Sequence, residues 1–171
     1  MRRLQQLFDK ARDMHDGNSM CNAIYAKDLI GELESVKSSC DLLKLSVLSC
    51  NPALDRKAYL KRIEELNVQG TLDALISGLE STLGDMIEEN MRCHAEGKAE
   101  KSVKPDDDTY DAVHGMDKAV VEMAKSVAAM CADADDAHDA METIMDAYSG
   151  VHAETLRLIA ENESRKEGGQ Q

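Results

Sequence analysis

From Val113 to Leu158, core-type residues recur in steps of three and four without a slip. The series is Val113, Met116, Val120, Met123, Val127, Met130, Ala134, Ala137, Met141, Ile144, Tyr148, Val151, Thr155 and Leu158. Residues three and four apart share one face of an α-helix, so this spacing demands helix and commits one side of it to a buried interface. Read as unbroken over 107–164, the helix is about 85 Å long at 1.5 Å per residue. Ser149-Gly150 is its weakest point, and the seam keeps phase across it, which favours continuity.

The flanks of this seam decide how it packs. A two-stranded zipper carries Glu and Lys beside its core. Here the flanks hold Ala112, Ala119, Ala124, Cys131, Ala140, Met145, Ala147 and Ile159. Such a wide apolar face suits a bundle of three or more helices. Nine acids, among them Asp135, Asp136, Asp139, Glu142 and Asp146, fall on the opposite, outward side.

The rest of the chain is helical by the same criterion. Leu4, Leu7, Phe8, Ala11 and Met14 give a short helix over 2–15, and Asp16-Gly17-Asn18-Ser19 supplies a stop and a new cap. Leu29, Leu33, Val36, Cys40, Leu43, Val47 and Cys50 form a second seam over 20–50. Asn51-Pro52 ends it and opens a third segment over 52–96, interrupted at Asn67 to Gly70. Leu72, Ile76, Leu79, Leu83 and Met86 carry that segment onward. Residues 75–81 repeat five of the seven identities of 29–35. A duplicated hairpin arm would produce such an echo, and so does helical composition alone. Residues 97–105 are polar, basic and aperiodic, which marks a linker, and 166–171 reads as a frayed tail.

Composition agrees. There is no Trp, one Phe and ten Met, with two prolines at Pro52 and Pro105. Strands favour β-branched and aromatic residues, whereas Ala, Leu, Met, Glu and Lys cost least in a helix. The expected fold is all-α: a single helical domain over 1–165, built as a helical bundle or coiled coil with a helical hairpin and one long C-terminal helix. No run approaches the roughly 18 apolar residues of a membrane span, and the N-terminus lacks a signal-peptide core. Five cysteines without a Cys-x-x-Cys pair read as small core residues of a cytoplasmic protein.

Net charge is −13 and uneven. Residues 105–148 hold 12 acids against Lys118 and Lys125, a balance of −10. This opposes direct binding to nucleic acid or an anionic membrane, and suits solubility or a basic partner.

No motif for catalysis, cofactor or metal stands out. Asp111 with His114 and Asp135 with His138 have a spacing related to bundle metal sites. They lie 24 residues, about 36 Å, apart on one helix and cannot share an ion. His138 and Glu142, one turn apart, could hold a metal only at the surface. Residues 133–144 lack the Gly and terminal Glu of a calcium loop. Cys93-His94 has no partnering acid or oxyanion loop.

The expected function is therefore non-enzymatic: a scaffold or adaptor that binds another protein, or itself, through helical surfaces. Its expected interaction seam is Val113, Met116, Val120, Met123, Val127, Met130, Met141, Ile144, Tyr148, Val151 and Leu158. Because upstream helices are too short to cover an ~85 Å helix, a homodimer is expected. One alternative is an acidic, phage-type inhibitor that occupies the basic groove of a nucleic-acid-binding protein. Its acids number one per roughly 5 Å of helix, against one charge per ~1.7 Å of duplex DNA, so a second acidic helix alongside is needed. A metal-binding bundle enzyme is the weaker alternative.

Overall fold

The computed structural model describes residues 2–50, 54–99, 107–131 and 134–168. They form six α-helices and no strand: α1 (Arg2–Asp13), α2 (Gly17–Cys50), α3 (Arg56–Leu66), α4 (Val68–Ala95), α5 (Asp107–Ala128) and α6 (Ala134–Gly168).

Local chemistry sets the boundaries. His15 takes the left-handed conformation at φ 57°, and the Asp16 and His15 amides donate back to the Ala11 and Arg12 carbonyls at 2.9 and 3.0 Å. This is a Schellman closure built without glycine. The Asp16 carboxylate then accepts the Ser19 amide at 3.0 Å and caps α2. Asp55 caps α3 by accepting the Lys57 and Ala58 amides, both at 3.1 Å. Asn67, at φ 48°, breaks α3 from α4 within the interval the sequence marked. Gly97, at φ 64°, closes α4 with the same double bond pattern as His15, Lys98 donating to Cys93 and Gly97 to His94.

Helices α2, α4, α5 and α6 form a ring in which each packs antiparallel on the next, an up-down-up-down bundle. Lys37 of α2 donates to Asp73 of α4, and Gly78 and Gly115 place Thr109 and Thr71 opposite them across α4 and α5. Arg157 of α6 donates to Tyr25 of α2 and closes the ring. Helix α1 lies across α2 and α4, where Leu4, Leu7 and Ala11 are buried and Arg3 pairs with Asp85 and Glu88. Helix α3 packs on α5 and the end of α2.

One expectation is corrected. The helix over 107–164 is not continuous. It divides after Ala128, where the Met130 and Cys131 amides turn back to Val127 and Ala128 at 3.1 and 3.2 Å. Helix α6 then folds back along α5. The ~85 Å rod becomes arms of about 33 and about 52 Å. Continuity holds instead at Ser149-Gly150, inside α6.

The seam was misleading because both arms face the same core with the same periodicity. Val113, Met116, Val120, Met123, Val127, Ile144, Tyr148 and Val151 are all buried within the chain's own bundle. Met130 is half-buried and Met141 is exposed, while the side chain of Leu158 lies outside the described residues. Among the described residues, most of the seam is thus covered within one chain, which removes the argument from an uncovered ~85 Å helix.

Smaller boundaries move too. Helix α2 starts at Gly17 rather than residue 20, and 52–96 resolves into α3 and α4. Helix α6 runs through Gly168, past the expected start of fraying at 166. The Asn51-Pro52 cap, linker residues 100–105 and tail residues 169–171 lie outside the described residues.

Candidate interaction groove

Between α2 and α6 runs a groove of about 450 Å³ lined by Tyr25, Asp28, Leu29, Glu32, Asp146, Ala147, Gly150 and Val151. These positions recur at helical three-four spacing on both walls, so each wall is one stripe of its helix. Leu29 and Val151 are buried and make an apolar floor. Asp28, Glu32 and Asp146 are exposed along the rims. None of the three has an ion-pair partner among the described residues. At one end the Arg157 guanidinium donates to the Tyr25 hydroxyl at 3.2 Å.

Gly150 adds to the open space. A Cβ placed there would meet nothing within 4 Å. At Gly78 the same atom would come 2.5 Å from Thr109 Oγ1, and at Gly84 2.9 Å from the Arg3 guanidinium. Those glycines permit close packing inside the chain. Gly150 permits none, although a glycine within a helix costs up to about 1 kcal/mol relative to Ala. Gly31 is equally open, outside this groove.

The acidic face expected on the last helix lies on α6. Asp135, Asp136, Asp139, Glu142 and Asp146 are all exposed, with no Lys or Arg between Lys125 and Arg157. Only Asp146 reaches the groove. The His138 imidazole stands 3.9 Å from Glu142. His114 Nδ1–H donates to the Tyr110 carbonyl at 2.9 Å, which ties that imidazole to its own helix. Among the described residues, no group of three or more His, Cys, Asp or Glu could hold a metal.

A second cleft, about 370 Å³, opens where α3 breaks from α4 and is lined in part by Cys40, Leu60, Ile63, Val68 and Met123. Burial, reinforced by Asp41, pushes the Cys40 thiol up to about 11. Cys93 is also buried, while Cys131 is half-buried and Cys21 is exposed, so the reading of cysteines as core residues holds for the first two. The Cys93 thiol donates towards Glu89 Oε1 at 3.8 Å, and the neighbouring His94 is exposed.

Sequence reasoning missed one polar pair in the core. The buried Tyr148 hydroxyl meets His152 Nδ1 at 2.5 Å, one turn along α6. Burial, then the nearby Asp117 carboxylate, pushes the phenol well above its ordinary range. The spacing was visible, but Tyr148 reads as an ordinary seam residue.

The chain matches no known family, no curated protein and no solved structure. Functional inference therefore rests on the geometry alone. No helix among the described residues is long and apolar enough to cross a membrane.

Proposed function

We propose that the protein is a non-enzymatic interaction module that receives a helix of a protein partner in the α2–α6 groove. The observation that carries this reading is the pairing of a buried apolar floor, Leu29 and Val151, with three rim carboxylates that have no ion-pair partner among the described residues. Helix-in-groove recognition uses an apolar anchor flanked by charge, and this groove offers the complement of both.

The acidic inhibitor is kept as a second reading because of one observation. Asp28 and Glu32 of α2 stand across the groove from Asp146 of α6, so acids of two helices lie side by side within one chain. That raises the charge density above what one helix supplies, without a dimer.

One experiment separates the two. The wild type, Gly150→Leu, and a quadruple variant with Asp135→Asn, Asp136→Asn, Asp139→Asn and Glu142→Gln are assayed against a partner captured from lysate, at low and high salt. A groove module loses binding when leucine fills the groove, and keeps it in the quadruple variant, because none of those four carboxylates lines the groove and exposed charges are individually worth little. An inhibitor that acts by charge shows the reverse: the quadruple variant binds more weakly, and Gly150→Leu keeps its binding. Unchanged binding in Gly150→Leu rules out the groove.

A further inference from the structure

We infer that the groove's occupant is α3 of a second copy of this chain, so that copies join head to tail. This rests on reading the α2–α6 groove as a docking surface, and it names the partner.

The occupant must be helical, basic on its outward side and tipped by a large apolar side chain. In a chain of net charge −13, two helices carry an excess of base. One is α1, with Arg2, Arg3, Lys10 and Arg12 against Asp9 and Asp13, but its leucines are buried against α2 and α4. The other is α3, with Arg56, Lys57, Lys61 and Arg62 against Glu64 and Glu65. Leu60 of α3 is 45% exposed, while Tyr59 beside it is 1% exposed and anchors the helix inward.

On α3, Lys57 and Lys61 sit three residues before and one after Leu60, with Arg56 a turn before it, all exposed. Positions three and four apart on a helix are neighbours, so Leu60 lies beside Lys57 and Arg56, and Lys61 lies one turn beyond Lys57. Lys57 has no ion-pair partner among the described residues, and Lys61 reaches Glu65 at only 3.6 Å. Seated in the groove, Leu60 rests on Leu29 and Val151 in the space that Gly150 leaves open. The cations then face Asp28, Glu32 and Asp146. Each half of the pairing lacks what the other supplies.

The two surfaces do not compete within one molecule. Helix α3 is held near the end of α2, through Tyr59 to the Lys44 carbonyl and Arg56 to the Leu48 carbonyl. The groove centres on Leu29, about 25 Å back along α2 at 1.5 Å per residue. A donor at one end and an acceptor at the other make a heterologous contact, which grows into a ring or an open chain rather than stopping at a symmetric dimer.

The test uses the full chain in sedimentation velocity over a range of concentrations. Wild type should associate beyond a dimer, less so as salt rises. A basic-side variant, Lys57→Glu with Lys61→Glu, and a groove variant, Glu32→Lys with Asp146→Lys, should each associate at least about tenfold more weakly. Each variant keeps one intact surface. Mixed together they should form a one-to-one complex that does not grow, which also shows that both fold. Variants that stay monomeric when mixed, or that associate alone as well as wild type, overturn the inference. A monomeric wild type overturns it too. In that case the docking reading stands if Gly150→Leu abolishes partner capture, and falls with it if capture is unchanged.

Discussion

Cys40 shows how burial at one residue becomes a property of the whole fold. Its thiol is pushed from 9.0 to about 11, chiefly by burial, so the folded state resists losing that proton. The unfolded chain ionises near 9.0, and between there and about 11 the native state binds more protons than the unfolded one. Stability from this group is therefore complete below the unfolded value and declines as pH rises through the window. Urea midpoints measured at about pH 8 and about pH 10.5 should fall further for wild type than for Cys40→Val, judged against these ionisation ranges. An equal fall in both would place the alkaline loss elsewhere. Single residues were also where the sequence was least legible. His15 in a left-handed turn occupies a place where glycine is usual, and nothing in its neighbours announces it. Tyr148 looked like seam and proved to carry a buried hydroxyl hydrogen-bonded to His152 Nδ1.

Element by element, periodicity gave the helices readily and one of their ends badly. Breaks at Asp16, Asn67 and Gly97 were legible because each carries a capping or turn residue. The turn after Ala128 has neither Gly nor Pro, and its flanking arms face one core, so the seam kept phase through a reversal of direction. Asp135 and Asp136 in the first turn of α6 were the available signal, since acids favour the positive end of a helix. They were absorbed instead into an acidic face. The helix glycines give a paired prediction. Gly78→Ala forces a methyl towards Thr109 at the α4–α5 contact and should destabilise by about 1–3 kcal/mol. Gly150→Ala meets open space and should stabilise by up to about 1 kcal/mol. Chemical denaturation of both variants reads the sign directly. Changes of like sign would refute the packing described for one of the two sites.

For the whole molecule, charge and fold pull in different directions. A net charge of −13 on one bundle repels itself, while the ion pairs that cross between elements, such as Arg3 with Asp85, are exposed and individually worth little. Screening should therefore help more than it harms. Raising ionic strength from about 0.01 to about 0.15 M shortens the Debye length from ~30 to ~8 Å, and the melting temperature should rise. A fall would mean that cross-helix ion pairs dominate. The all-α class was legible from spacing alone, because a bundle core is written as a periodicity. The groove was not, because its walls come from positions over a hundred residues apart and each wall alone is an ordinary half-polar stripe. That separation has a further consequence. Chains fold from the N-terminus as they are made. Helix α2 is complete early, but its counterpart wall belongs to α6, the last helix, reached only after α4 and α5 have been laid down. During synthesis the buried floor residue Leu29 therefore waits uncovered on that side. The groove is therefore the last surface the chain completes, and the docking proposed for it has to wait for the finished bundle.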